Sequence, residues 1–328
     1  MKRREFISLI GGAAVAWPLA ARAQQRALPV IGLLSSRSLA VDTLLIGIIR
    51  QALNEAGLVE GQNVTFDYRW AEGRYDRLAG LAADLVRRQV AVIVTMGGDA
   101  SALAAKAATA TIPIVFAGGA DPVRIGLVTN LNRPGGNITG SSNFIFELEP
   151  KRLGLLHDLR PHATKAAALV NPENIAHSET QVSDIQSTAR NLGQEVTILK
   201  ASAVPEIDAA FAKLVEMRAD TLLVAADALF FDHAPQLVVL AARHAIPTVY
   251  SRREFTAAGG LMSYGANANE SYRLLGLYAA RILKGEKPGD LPIQRPTKFE
   301  LVINLSTARA IGLDVPPSLL ARADEVIE

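Results

Sequence analysis

The 328-residue chain contains no cysteine. That absence excludes disulfides, thiolate metal sites, a cysteine nucleophile and the lipidated cysteine that tethers some exported proteins to a membrane. Aromatic residues are scarce, at 5% of the chain. Past residue 23 no apolar run approaches the roughly 20 residues that a helix needs to cross a bilayer. The five histidines, His157, His162, His177, His233 and His244, form no close metal-ligand pair and no H-E-x-x-H arrangement. They read as surface residues, and neither a metal nor a cofactor is expected. Gly97-Gly98 lacks the Lys-Ser/Thr of a Walker A loop and the third glycine of a dinucleotide fingerprint. Ser35, Ser141 and Ser142 have no G-x-S-x-G context and no histidine in triad order. Glu147 and Glu149, two apart, read as a solvated face, so no constellation argues for catalysis.

A clear excess of charge of one sign is also missing. Met1 to Ala23 has a basic start (Lys2, Arg3, Arg4), an apolar stretch from Phe6 to Ala20 and an Ala21-Arg22-Ala23 end, the layout of a cleaved export signal. Its apolar part is too short to be an anchor. Arg3-Arg4-Glu5-Phe6-Ile7 has the form of a twin-arginine signal, with an ordinary Sec signal as the alternative. The segment holds four of the 34 basic residues and one of the 32 acidic ones, leaving 30 against 31 in the rest. A nucleic-acid binder would carry a positive excess there. The expectation is a freely soluble periplasmic protein, and at this length one of two domains.

What is present is a repeated alternation of short β-branched apolar runs with longer amphipathic ones. Strands are expected at Val30 to Leu34, Asn63 to Trp70, Val90 to Thr95 and Ile112 to Phe116, with helices at Val41 to Ala56, Tyr75 to Arg88 and Ala100 to Ala110. Continuous apolar strands, each followed by a helix, imply a parallel sheet covered on both faces. After a Gly/Asn/Pro-rich stretch, Asn132 to Gly140, the pattern resumes. Strands are expected at Ala166 to Val170, Glu195 to Leu199, Thr221 to Ala225 and Pro247 to Tyr250. Ser178 to Leu192, Pro205 to Arg218 and Pro235 to His244 read as helices. The tail adds a helix (Asn269 to Lys284), a strand (Phe299 to Leu305) and a short helix (Ser306 to Ile311). The fold class expected is α/β, two Rossmann-like lobes with parallel sheets joined by a multi-strand hinge near Thr139 to Phe146. Lobe 1 takes residues 24–142 and 264–293, and lobe 2 takes 143–263 and 294–328.

Ligands of open parallel sheets bind beyond the carboxyl ends of the strands. Those positions here are Ser35-Ser36-Arg37, Thr95 to Ala100, Gly118 to Pro122, Asn171 to Asn174 and Ala226 to Phe231. Gly97 and Gly98 could let backbone amides approach an anion, or form only a tight turn capped by Asp99. Asp121 either accepts from a ligand or caps a turn before Pro122. Asp227, with Phe230 and Phe231 close by, suits an ammonium group with an apolar tail, the alternative being a helix cap.

Six segments carry a family resemblance: Ala120-Asp121-Pro122-Val123, Arg133 to Gly140, Pro150-Lys151-Arg152-Leu153, Arg252-Arg253-Glu254-Phe255, Ala258 to Gly265 and Pro296 to Leu305. In this order they resemble the ABC transporter substrate-binding proteins of the group that includes tryptophan- and phenylalanine-binding members. The resemblance implies a type I periplasmic binding protein whose two lobes close on a ligand and deliver it to a membrane permease and ATPase. It implies that Ser35, Gly97 and Gly98 hold a ligand carboxylate and Asp227 an ammonium, with Asn143, Phe144, Asn171 and Tyr264 lining the site. Ser36 and Asp121 complete the candidate set. The function expected is monomeric capture of a small carboxylate-bearing ligand, such as an aromatic or branched-chain amino acid, with no nucleic-acid partner. The alternatives are a ligand sensor for a membrane receptor and an exported hydrolase using Ser35 or Asp121.

Overall fold

The computed structural model describes residues 28–174 and 177–328. The expected export signal lies outside them. Among the described residues no helix is long and apolar enough to cross a membrane.

The first lobe is built from β1 (Val30–Ser35), α1 (Leu39–Glu55), β2 (Thr65–Trp70), α2 (Leu78–Arg87), β3 (Val92–Met96), α3 (Asp99–Ala108), β4 (Ile114–Gly118) and β5 (Ile138–Ser142). Its sheet has the order β2-β1-β3-β4-β5 and is parallel throughout. β3 and β4 are buried at every position because helices cover both sheet faces, which is why they read as unbroken apolar runs. β2, at the edge, is half-buried and alternates polar with aromatic residues.

The second lobe contains α4 (Glu149–Leu159), β6 (Lys165–Val170), α5 (Ser178–Asn191), β7 (Glu195–Lys200), α6 (Val204–Glu216), β8 (Thr221–Val224), α7 (Ala228–Asp232), α8 (Ala234–Arg243), β9 (Thr248–Tyr250), α9 (Arg253–Ala257) and β10 (Met262–Ala266). The chain then returns to the first lobe as α10 (Ala268–Leu283), which packs on α1. A Cβ at Gly276 would come within 2.5 Å of the Ile49 carbonyl oxygen, so glycine there permits the close approach of the two helices. The tail re-enters the second lobe as β11 (Phe299–Asn304), α11 (Leu305–Ala310), α12 (Pro317–Leu320) and β12 (Glu325–Ile327). The second sheet, β12-β11-β10-β9-β8-β6-β7, is parallel except where β10 meets β11. The expectation of parallel sheets therefore needs that one amendment. A strand that enters its sheet from the other lobe is not bound to the right-handed crossover that makes βαβ neighbours parallel.

Three passes of chain link the lobes. One follows β5, one joins β10 to α10, and the third is held where Gln294 exchanges backbone bonds with Gly140 and Ser142, both at 3.0 Å. β10 stays in the second sheet through Ala266, beyond the expected crossing at 264.

Glu149 and Arg152 open α4 at the first pass, and both side chains are wholly buried and ion-paired at 2.7 Å. This corrects the reading of Glu147 and Glu149 as a solvated face. Glu149 accepts from the backbone N–H of Ala226, while Arg152 donates to the carbonyls of Ile145 (2.7 Å) and Tyr264 (2.9 Å). One buried pair thus ties the first two passes to the loop after β8. Removing the arginine would leave a carboxylate buried without its partner. Arg152→Leu is therefore expected to lower the unfolding free energy by about 3–5 kcal/mol. Urea denaturation checks this, and an unchanged midpoint would contradict it.

Candidate binding cleft

The carboxyl ends of both sheets face each other across a cavity, with atom-free space of about 570 Å³ counting its mouth. Side chains of both lobes close it. Arg37, from the first lobe, pairs with Asp42 beside it (3.2 Å) and with Asp232 across the gap (3.0 Å). Tyr75 reaches over to Asp227, and Asp99 meets His177 at 3.1 Å.

One pole of the cavity suits an anion. Gly97 (φ 77°) and Gly98 (φ 106°) turn β3 into α3 through a left-handed conformation that other residues rarely adopt. The N–H groups of Gly98, Asp99 and Ala100 at the helix start take no acceptor among the described residues. Asp99 does not cap them. Its carboxylate turns aside to accept from Gly119 and Ala120, each at 3.0 Å. Open N–H groups plus the positive end of the helix dipole favour a carboxylate or another small anion.

The other pole suits a cation. Asp227 is 3% exposed and caps α7, accepting from the Leu229 N–H at 2.9 Å. Asn171 (2.8 Å), Asn174 (2.9 Å) and the Tyr75 hydroxyl (3.0 Å) also donate to it. All four donors are neutral, and no cationic side chain pairs with it among the described residues. Burial pushes its pKa up, against the pull of those hydrogen bonds. Asp42 and Asp232 are pushed up by burial too, but each has Arg37 as counter-ion.

Between the poles the wall is aromatic. Tyr75, Phe146, Phe231 and Tyr272 line it, and the His177 ring stacks on Phe146 at 4.0 Å.

Of the residues singled out in the sequence, Gly97, Gly98, Asn143 and Asp227 lie on the cavity wall, and Asn171 stands behind Asp227. The others do not. The Ser35 hydroxyl is spent on Asp42 at 2.6 Å, and that of Ser36 on the Gly97 carbonyl at 2.8 Å. Asp121 caps its own turn, accepting from the Val123 N–H at 2.8 Å. Phe144 sits at the hinge under the Arg295 guanidinium, and the Tyr264 ring stacks on Phe299. His177, expected at the surface, is 5% exposed and lies on the cavity wall. Arg37 was within reach of the strand-end rule. Tyr75 and Phe146 precede helices rather than ending strands, and Tyr272 arrives on α10 from 130 residues or more beyond β5, so no local signal marked them.

Comparison with known proteins follows the same lines. The sequence pattern of the family described as "ABC transporter substrate binding protein" matches residues 30–327. A tyrosine-binding protein of Clostridioides difficile (strain R20291) is 29% identical over 273 residues, covering 83% of this chain and 77% of that protein. Among solved structures, an ABC domain from Streptococcus pneumonia in complex with L-Trp is 26% identical, with a TM-score of 0.79 over 92% of this chain and 100% of the other. The ligand-free, open structure of a substrate-binding protein from Clostridium difficile is 25% identical over 92% and 99%, yet its TM-score is 0.62. The side-chain contacts across the cleft place this chain in a closed arrangement.

The sign of the Asp227 shift fixes a pH dependence. A carboxyl that binds its proton more readily in the folded protein than in the unfolded chain stabilises the fold at low pH, and that contribution is lost as pH rises through the folded pKa. In the ligand-free protein, the difference in unfolding free energy between wild type and Asp227→Asn should move against the wild type from about pH 4 to about pH 7. Chemical denaturation across that range measures it, and a flat or opposite trend would count against an uncompensated carboxylate.

Proposed function

Since this chain belongs to the ABC transporter substrate-binding protein family, we propose that it captures an aromatic amino acid in the interlobe cleft and delivers it to the permease and ATPase of an importer. The observation that carries the reading is the buried Asp227 carboxylate, which lines the cavity and has hydrogen bonds but no counter-ion among the described residues. A ligand ammonium supplies the missing charge. The ligand carboxylate goes to the open N–H groups of Gly98, Asp99 and Ala100, and its side chain lies among Tyr75, Phe231 and Tyr272. The ligands named for the two relatives, tyrosine and L-Trp, support an aromatic side chain. The basic, apolar and small-residue order of residues 1–23 supports export, so that capture takes place in the periplasm.

Closure follows from the placement of the two poles. The carboxylate binds the first lobe and the ammonium the second, so one zwitterion bridges the gap and favours the closed form by its differential affinity. Asn143, at the first pass between lobes, completes the wall at the hinge side.

At about 100 times its Kd an aromatic amino acid should raise the unfolding free energy by about 2.7 kcal/mol. A thermal-shift screen of aromatic, aliphatic and amine-free analogues reads this out. Asp227→Ala should weaken binding of the amine-bearing ligand by about 2–5 kcal/mol, through loss of the partner of a buried charge. Calorimetry giving the variant the wild-type affinity, with the fold intact by circular dichroism, would reject the assignment.

A further inference from the structure

Two arginines reach the cavity wall, and they differ in what already engages them. Arg37 is committed to Asp42 and Asp232. The Arg252 side chain makes no ion pair or hydrogen bond among the described residues, though its charge acts on Asp42, and its Nε is buried without a partner. Its neighbour Arg253 points elsewhere and pairs with Glu325 at 2.8 Å. The Arg252 guanidinium lies over the Phe231 ring, 4.1 Å from the centroid, and both residues line the cavity.

The sheet order places that guanidinium relative to the two poles. Arg252 follows β9, Asp227 follows β8 and His177 stands before α5 in the loop after β6; these strands are adjacent in the order β9-β8-β6. His177 meets Asp99 at the start of α3, the anion-binding pole. Arg252 therefore lies on the far side of Asp227 from that pole. In an α-amino acid, ammonium and carboxylate share one carbon. With these groups at Asp227 and α3, the side chain has to extend past Asp227, along Phe231 one helical turn further on, toward Arg252.

A guanidinium has donors only, so the group that satisfies it must be an acceptor. We propose that Arg252 is a specificity-determining residue that donates a hydrogen bond to an oxygen on the ligand's aromatic ring, so that the site selects a ring-hydroxylated aromatic amino acid. The proposal rests on the amino-acid reading of the cleft. A ligand without that oxygen forgoes the hydrogen bond and leaves the Nε as it stands, without a partner.

The test is calorimetric titration of tyrosine and phenylalanine into the wild type and Arg252→Met, with circular dichroism as the check on folding. The wild type should bind tyrosine on the order of 10- to 100-fold more tightly than phenylalanine, the usual worth of a hydrogen bond to a charged group. Arg252→Met should bring tyrosine to the level of phenylalanine and leave phenylalanine within about twofold of wild type. Arg252→Lys should recover part of the preference. Equal binding of the two amino acids by the wild type, a comparison that needs no variant, overturns the proposal. So does an equal loss for both ligands in Arg252→Met. Binding of neither by the wild type overturns the amino-acid reading itself, an outcome distinct from these two.

Discussion

The geometry of the cleft turns on a carboxylate placed where a carboxylate is costly. Asp227 follows a buried strand, is almost fully enclosed, and has only neutral donors among the described residues. One of those donors, Tyr75, comes from the opposite lobe. The hydrogen bonds keep the group oriented without cancelling its charge. An enclosed negative charge with no counter-ion among the described residues is an incomplete electrostatic arrangement, which in the proposed reading a ligand cation completes.

The rest of the molecule positions that charge. Two sheets with buried strands set the loops rigidly at their carboxyl ends. The Glu149–Arg152 pair joins the first two interlobe passes to Ala226, the residue just before Asp227. The same pair therefore contacts both the hinge and the loop that carries the charge. Arg37, bridging Asp42 and Asp232, adds a contact between lobes that does not involve the ligand. Affinity in such a design depends on ligand contacts and also on how readily the empty protein closes.

Much of the fold was legible because each buried strand is an unbroken apolar run and each helix has a matching apolar face. The parallel lobes, the return of α10 to the first lobe and the re-entry of β11 follow from that alternation. α4 was not legible, since its first turn carries Glu149 and Arg152, whose burial depends on each other and on partners far away in sequence. The short helices α7 and α9 were missed because five residues are too few for a helical period to show, and the strand β10 because its Met-Ser-Tyr-Gly-Ala sequence is not an unbroken apolar run. At the site, Gly97, Gly98 and Asp227 were visible from strand-end position and chemistry. Ser35 and Ser36 have the right chemistry and position, but their hydroxyls are satisfied by Asp42 and Gly97. Tyr75, Tyr272, His177 and Arg252 are brought in by tertiary structure. His177 shows the limit most clearly, as a helix-end histidine looks like a surface residue until the opposite lobe covers it.

The most direct measurement is a crystal structure of the chain soaked or grown with an aromatic amino acid. The account requires the ligand ammonium within hydrogen-bond distance of the Asp227 carboxylate and the ligand carboxylate on the N–H groups of Gly98, Asp99 and Ala100. A ligand bound in the reverse sense, or one that leaves Asp227 without a cationic neighbour, would contradict it.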